Sequence, residues 1–156
     1  MELSKQVNAF WDMLAVSELG QAVIDGSDDG YNVLVGSLPH HILTFPSYAA
    51  HPMIHNSEVN SDAAGRGQFM GHYWPAYRDM LKLPDFGPAS QRAWFFQLLK
   101  ECHAVDLIEA GHLDDALKVT SSRWASFPYA TYNQHRNTYQ FMEDAFVAAG
   151  GVVSQA

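Results

Sequence analysis

The residue whose type and position best suit chemistry is Glu18. A helix predicted over Ser4–Ser17 carries an apolar stripe formed by Val7, Phe10, Trp11 and Leu14. Glu18 continues that stripe at the next i+4 step, at the C-terminal end of the helix, where the macrodipole disfavours negative charge. Burial and the dipole both favour the protonated form, so they are expected to raise the pKa of this carboxyl. A protonated carboxylic acid is what a leaving glycosidic oxygen requires.

Two alternatives remain open for Glu18 at this point. In the first alternative the helix end frays and leaves the side chain in water, and periodicity alone does not choose between this interpretation and burial. A two-carboxylate glycosidase would need a partner for Glu18. The candidates Asp25, Asp28 and Asp29 lie in a glycine-rich stretch that is more simply a solvated turn.

The elements around Glu18 predict a mostly helical α+β fold with a small β element in the N-terminal half. Alternating residues over Tyr31–Val35 and an extended run over His41–Phe45 predict a short hairpin or small sheet. Residues 46–67 and 121–136 show no periodicity and are expected to form long irregular segments, which in compact domains are usually functional or mobile.

The remaining helices are predicted from apolar stripes and capping signals. A stripe consists of Met70, Tyr73, Trp74, Tyr77 and Leu81. Gly87-Pro88 is typical of the start of a helix and predicts one over Ala89–Glu101, with two short helices over Val105–Ala110 and Leu113–Val119. Asn137 with Gln140 indicates a capping pair that opens a last helix, and Gly150-Gly151 would end it.

Composition restricts the class of protein. The length of 156 residues predicts one domain spanning 1–156. A net charge of −8 with only nine basic residues argues against a nucleic-acid partner. The single cysteine, Cys102, excludes an internal disulfide. No signal peptide or membrane segment is recognised. His40, His41, His51 and His55 are close in sequence, but they lack the spacing and partner ligands of a metal site, so neither a metal nor a cofactor is expected.

Several stretches, in this order and spacing, resemble the phage lambda lysozyme family, endolysins that act as lytic transglycosylases. The matching stretches are Ala9–Glu18, Tyr31–Gly36, His51–Pro52, Ala64–Gln68, Trp74–Arg78, Trp124–Pro128 and Ala148–Val152. The resemblance implies a lysozyme-like fold with a glycan cleft between two lobes. It also implies that Glu18 is the catalytic acid and that the two irregular segments are the lips that close on the sugar chain.

The resemblance further implies which residues contact the glycan. Gly65-Arg66-Gly67-Gln68 is similar to the Gly-x-x-Gln segment of transglycosylases, whose glutamine contacts the substrate. Ala130-Thr131-Tyr132-Asn133 is similar to their Ala-Tyr-Asn motif with one residue inserted. The substrate-binding residues implied are Gln68, Tyr132, Ser61, His51, Arg66 and Asn133.

Three departures from the family bear on mechanism. The family has aspartate where this chain has Asn32, tyrosine where it has Gly67, and a basic rather than an acidic net charge. Asn32 cannot act as a base or nucleophile, which favours a single-acid mechanism. Gly67 removes an aromatic surface beside Gln68.

The resemblance implies cleavage of the bond between N-acetylmuramic acid and N-acetylglucosamine, giving 1,6-anhydro ends. A monomer is expected, made in the host cytoplasm and acting on periplasmic peptidoglycan after a holin opens the inner membrane. The alternatives are a hydrolytic muramidase of the same fold, with water delivered by Asp28 or Asp29, and a non-catalytic glycan-binding or structural phage protein.

The acidic balance generates a prediction about salt. Because an anionic wall and a chain of net charge −8 repel each other, moderate salt should raise the rate of wall degradation, since charges are screened over roughly 10 Å at about 0.1 M ionic strength. Loss of turbidity from permeabilised cells across a salt series measures this. A rate that only falls as salt is added would point to a local basic patch instead.

Overall fold

Helices account for most of the regular structure in the computed structural model, which describes residues 1–131 and 135–155. The α-helices are α1 (Lys5–Leu19), α2 (Gln21–Asp25), α3 (Trp74–Leu81), α4 (Pro88–Glu101), α5 (Val105–Glu109), α6 (Leu113–Thr120) and α7 (Tyr139–Ala148), with a 3-10 turn over Gly71–Tyr73 before α3. None of these helices is long and apolar enough to span a membrane. The chain forms two compact units, Met1–Glu18 with Phe96–Ala156, and Leu19–Phe95.

The first unit is built on the apolar stripe of α1, which is buried as predicted. Val7, Phe10, Trp11 and Leu14 are all at most 2% exposed. The Phe10 ring packs edge-on against Phe127 at 6.1 Å between centroids. Gln6, on another face of α1, donates to the carbonyls of Ile108 and Val152. These contacts hold α1 against Phe127, α5 and the C-terminal segment.

The start of α7 differs from its prediction. The N-cap is Thr138, whose hydroxyl accepts a hydrogen bond from Phe141 N at 3.1 Å, rather than Asn137. The Asn137 side chain is directed to Ser17 instead. The end of α7 is as predicted, because Gly150 has φ of +97° and Gly151 N bonds to Phe146 O, which together form the glycine-dependent helix end.

The second unit has an aromatic core. Its buried rings are Phe45, Phe69, Trp74, Tyr77, Phe86 and Trp94. Phe69 stacks on Trp94 at 4.4 Å between centroids, and Tyr77 stacks on the same indole at 5.1 Å. These contacts place Trp94 at the centre of this aromatic core.

The predicted hairpin is not formed as two continuous strands. Within the described residues the β structure consists of isolated bridges, among them Val33 with Thr44 and Leu34 with Ala64. The Ser37 hydroxyl explains the interruption, since it donates to Leu34 O at 2.8 Å and accepts from Leu43 N at 2.9 Å. A side chain that bonds to backbone groups in this way competes with a regular ladder.

Gln91 on α4 joins three backbone segments inside the second unit. This side chain is fully buried. Its amide nitrogen donates to Tyr31 O at 2.9 Å and Phe86 O at 2.8 Å, and its oxygen accepts from Arg66 N at 2.9 Å. One side chain therefore satisfies three backbone groups, and it positions the turn that follows Gly65.

The role of Gln91 generates a stability prediction. Gln91→Leu removes all three hydrogen bonds and leaves buried backbone groups unpaired, so the free energy of unfolding should fall by about 3–5 kcal/mol. Urea denaturation measures this change. Gln97→Leu is the matched control, because Gln97 lies on the same helix, is partly exposed and bonds to Glu101 one turn away. Equal losses in the two variants would contradict the role given to Gln91.

Candidate active site

Glu18 lies in the last turn of α1, in the first unit. The residue keeps partial exposure to solvent. Burial nevertheless raises the pKa of its carboxyl from 4.5 to about 7, and a hydrogen bond from Ser126 opposes this rise. The predicted direction of the pKa shift is confirmed, and desolvation is its main cause. At neutral pH the carboxyl is therefore close to half protonated, and it can either give or accept a proton.

Ser126 is the direct hydrogen-bond partner of Glu18. Its hydroxyl donates to Oε1 of Glu18 at 3.2 Å. Ser126 lies beside Phe127, which is fully buried and packs against Phe10 and Trp124. The core of the first unit thus determines where the serine hydroxyl points.

Two further side chains extend this contact. Ser17 Oγ lies 2.7 Å from Ser126 Oγ. The Asn137 amide donates to Ser17 Oγ at 2.9 Å and to Ser17 O at 3.3 Å, and the Asn137 backbone N–H donates to Ser126 O at 2.8 Å. Asn137 therefore contacts both serines, one through its side chain and the other through its backbone.

Arg66 and Gln68 share one tight turn in the second unit. Ala64 and Phe69 form a bridge that closes the four-residue loop Gly65–Gln68. Gly65 has φ of +85°, and a Cβ there would lie 2.5 Å from Gln91 Oε1, so glycine is required at this position. Gln68 Nε2 donates back to Gly65 O at 2.9 Å. The Gly-x-x-Gln pattern is thus first of all the sequence of this turn.

The Arg66 side chain is used inside the second unit. It is 5% exposed, its Nε donates to Asp29 O at 3.0 Å, and its guanidinium lies over the Tyr31 ring at 5.6 Å. Arg66 therefore connects the turn after Gly65 to the segment around residue 30.

His51 is buried in the same unit and is held in one neutral tautomer. Met53 N donates to its Nδ1 at 3.0 Å, so the ring proton resides on Nε2, which lies 2.7 Å from Phe69 O. Burial lowers the pKa of His51, more than the Phe69 carbonyl and Asp62 raise it. His51 thus contacts the residue that follows Gln68, and a direct contact with substrate stays a prediction.

Ser61 supports the neighbouring loop. It pairs with Asn56 across a bridge, its hydroxyl accepts from Ala63 N at 3.1 Å, and it lies 3.6 Å from the Met70 sulfur. Four of the predicted substrate-binding residues, namely His51, Ser61, Arg66 and Gln68, are therefore in the second unit. Glu18 is in the first, and Tyr132 and Asn133 lie outside the described residues.

The candidate second carboxylates lie at an exposed surface, with Asp25 at the end of α2 and Asp28 and Asp29 in the turn that follows it. Asp25, Asp28 and Asp29 are all exposed, as the solvated-turn interpretation predicts. Asn32 Oδ1 accepts from Asp28 N at 2.9 Å, so Asn32 has a structural role in this turn. In residues 1–131 and 135–155 no three His, Cys, Asp or Glu side chains form a group that could hold a metal ion.

Sequence reasoning missed Ser17, Ser126 and Asn137 as parts of the site. Ser126 is 108 positions from Glu18, and no periodic pattern connects residues that far apart. Two signals in the sequence could have indicated these residues. Ser17 and Ser126 lie in stretches that match the family, and Asn137 is a polar residue at the predicted start of the last helix.

Comparisons with known proteins agree with this fold. The sequence model of the family described as Endolysin matches residues 8–153. The chain is 36% identical to the endolysin of Escherichia phage P2, with 95% of this chain and 94% of that protein covered. It is also 36% identical to the endolysin of Escherichia phage lambda, with 99% and 98% covered.

A solved structure shows the same fold. The bacteriophage lambda lysozyme complexed with a chitohexasaccharide superposes with a TM-score of 0.88 at 36% identity, covering 99% of both chains. The fold is therefore lysozyme-like and mostly helical. The chain belongs to the endolysin family, the peptidoglycan-degrading lysozymes of bacteriophages.

The raised pKa of Glu18 generates a prediction about stability. A carboxyl whose pKa is higher folded than unfolded stabilises the fold below pH 4.5, and that contribution is lost as the pH rises through about 7. Glu18→Gln removes the buried charge, so at about pH 8.5 this variant should be more stable than the native chain by roughly 2–3 kcal/mol. The two proteins should converge at about pH 4.

Urea denaturation at both pH values measures this difference. Glu58→Gln is the control, because Glu58 is exposed and its replacement should leave the pH dependence of stability unchanged. A Glu18→Gln variant that is less stable than the native chain at both pH values would contradict the desolvation of this carboxyl.

Proposed function

We propose that this endolysin is a lytic transglycosylase that cleaves the β-1,4 bond between N-acetylmuramic acid and N-acetylglucosamine. Glu18 acts first as the general acid and then as the general base. The observation that carries the proposal is the carboxyl of Glu18 with a pKa of about 7. A group that must give a proton and then take one back works best when its pKa lies near the working pH.

In the first step Glu18 gives its proton to the oxygen that leaves with N-acetylglucosamine. The bond between that oxygen and C1 of the muramic acid breaks, and positive charge develops at C1. The substrate's own N-acetyl oxygen stabilises this charge. Glu18 is then an ionised carboxylate that accepts the Ser126 hydrogen bond.

In the second step the muramic acid 6-hydroxyl attacks C1. Its oxygen forms the new bond, its proton returns to Glu18, and the product is a 1,6-anhydro sugar. The step consumes no water and restores the acid for the next turnover. The reaction therefore needs a single carboxyl that first donates and then accepts a proton, rather than the carboxylate pair of ordinary glycosidases.

The surroundings of Glu18 support this single-acid chemistry. Burial and the Ser126 hydroxyl shift its pKa, and no charged side chain among the described residues contributes to that shift. Asn32, at the position where the family has aspartate, supplies no carboxylate either. The complex of phage lambda lysozyme with a chitohexasaccharide supports a sugar chain as the ligand.

The remaining predicted residues bind or orient the glycan strand in this proposal. The Gln68 amide nitrogen is engaged within its own turn, so its oxygen is the end suited to accept a hydrogen bond from a sugar N–H or O–H. Arg66 and His51 stabilise that turn and the residue after it. Ser61 supplies a hydroxyl in the neighbouring loop, and Tyr132 and Asn133 complete the set.

The proposed setting follows from the same family. Residues 1–156 constitute one catalytic domain that works as a monomer without a cofactor. It is made in the host cytoplasm and reaches periplasmic peptidoglycan after a holin opens the inner membrane.

Product analysis tests the proposal. Purified peptidoglycan is digested, and the released muropeptides are analysed by mass spectrometry. A transglycosylase gives 1,6-anhydro products that are lighter by one water than the products of hydrolysis. Hydrolysed ends alone would identify the enzyme as a muramidase, with water activated by a carboxylate such as Asp28 or Asp29.

Glu18→Gln supplies the matching test of mechanism. Because the amide has no transferable proton, this variant should lose at least about 100-fold in rate, in line with the contribution of a general acid. Loss of turbidity from permeabilised cells measures the rate, with Glu58→Gln as the control. Full activity in Glu18→Gln would remove the catalytic role, and absence of cleavage by the native chain would indicate a glycan-binding or structural protein.

A further inference from the structure

Three hydrogen bonds connect Asn137, through Ser17 and Ser126, to Oε1 of Glu18. All four residues belong to the first unit. Each of these hydrogen bonds joins residues more than 100 positions apart in the chain. The direction of each bond can be deduced from which groups are able to donate.

The Asn137 amide sets the direction of the first bond. Its terminal group faces the Ser17 carbonyl at 3.3 Å, and a carbonyl can only accept. The group facing it must therefore be the NH2 and not the amide oxygen. The second hydrogen of the same NH2 is then donated to Ser17 Oγ at 2.9 Å.

The directions of the two remaining bonds follow from the hydroxyls of Ser17 and Ser126. Ser17 Oγ receives the amide hydrogen, so its own hydrogen is available for Ser126 Oγ at 2.7 Å. Ser126 in turn donates to Glu18 Oε1 at 3.2 Å. Because Ser126 has a single hydrogen and donates it to Glu18, the hydrogen between the two hydroxyls comes from Ser17. Every donor in the series thus points towards the carboxyl.

We propose that Ser126, aligned by Ser17 and Asn137, is a positioning residue that keeps Oε1 of Glu18 as a hydrogen-bond acceptor and places the transferable proton on Oε2. The catalytic meaning of this inference rests on the proposed function. The hydrogen bonds themselves do not, so they can be tested on the protein without substrate.

The assignment has a consequence for both steps of the reaction. A carboxyl with one oxygen held by Ser126 presents the other oxygen to the substrate in a fixed orientation, which favours proton transfer along one path. After the first step the same series of donors points at the new carboxylate and stabilises its charge. The hydrogen bond therefore moderates the rise in pKa that burial causes.

Among the described residues, the charged or titratable groups that directly precede Asn137 in the chain are His135 and Arg136. His135 Nε2 lies 3.3 Å from Asn137 Oδ1, and His135 is exposed whereas Asn137 is partly buried. Arg136 donates to Ala130 O at 2.8 Å. Neither is among the influences on the pKa of Glu18, whose causes are burial and Ser126. His135→Gln therefore serves as a control for titration of this neighbour.

The first experiment measures the pKa of Glu18 directly by NMR titration of its labelled side-chain carboxyl carbon, on the full chain without substrate. Ser126→Ala should raise this pKa by about 0.5 to 1 pH unit, because the bond that favours the ionised form is lost. Ser126→Thr, which keeps a hydroxyl, should restore the native value. Asn137→Asp should also raise the pKa, since a carboxylate would draw the Ser17 hydrogen away from Ser126 and add negative charge.

Thr138→Ala is the control for general destabilisation. It weakens the N-cap of α7 next to Asn137 and should leave the pKa of Glu18 unchanged. An unchanged or lowered pKa in Ser126→Ala, or no recovery in Ser126→Thr, would overturn the inference.

The second experiment is an atomic-resolution crystal structure of the native chain below the pKa of Glu18. The longer carbon–oxygen bond of the carboxyl identifies the protonated oxygen, and Oε2 is expected. A proton found on Oε1 would refute the assignment.

The pH profile of kcat/KM on peptidoglycan then separates this inference from the proposed function. In Ser126→Ala the alkaline limb should move upwards by the same amount as the pKa, because Glu18 stays protonated to higher pH. A pKa that moves in the NMR titration without any movement of the limb would leave the positioning intact and contradict the role of Glu18 as the acid.

Discussion

The withdrawal of one carboxyl from water is the interaction on which the chemistry of this chain depends. Glu18 ends an apolar stripe that is otherwise fully packed, so its ionised form is disfavoured and its pKa approaches 7. Such a group destabilises the fold at neutral pH, and the first unit offsets this with the aromatic packing of Phe10 against Phe127. The same packing holds Ser126 beside the carboxyl. Stability and reactivity therefore have a common origin in the core under α1.

The second unit meets a different constraint, that of holding an irregular backbone in place without a regular sheet. Ser37 interrupts the ladder, and isolated bridges replace it among the described residues. Gln91 compensates by bonding to three backbone segments from a single buried position. The turn that carries Gln68 is therefore held by a hydrogen bond to a buried side chain, although it is formed by loop residues.

Features of the fold and site could be predicted from the sequence where their signals lie within a few residues of each other. Helices α1, α4, α5 and α6 were predicted because periodicity and proline or glycine signals act within a few residues. The helix α2 was missed because it follows α1 after the single residue Gly20, and no side-chain cap marks its start. Asn137 and Thr138 are both good caps, and only the position of Ser17 decides which one opens α7. The rise in the pKa of Glu18 was predictable from its stripe, whereas Ser126 depends on tertiary packing across 108 positions.

The first unit is formed by two separate parts of the chain, and this affects the order in which the protein can fold during synthesis. Residues 1–18 are synthesised before the intervening unit, and their partners from Phe96 onwards are synthesised after it. At bacterial translation rates of about 5–20 residues per second, Ser126 follows Glu18 by on the order of ten seconds. A nascent or truncated chain would thus carry the acid without its partner serine. The first unit, and with it the buried surroundings of Glu18, is therefore completed only after the segment from Phe96 onwards has been synthesised.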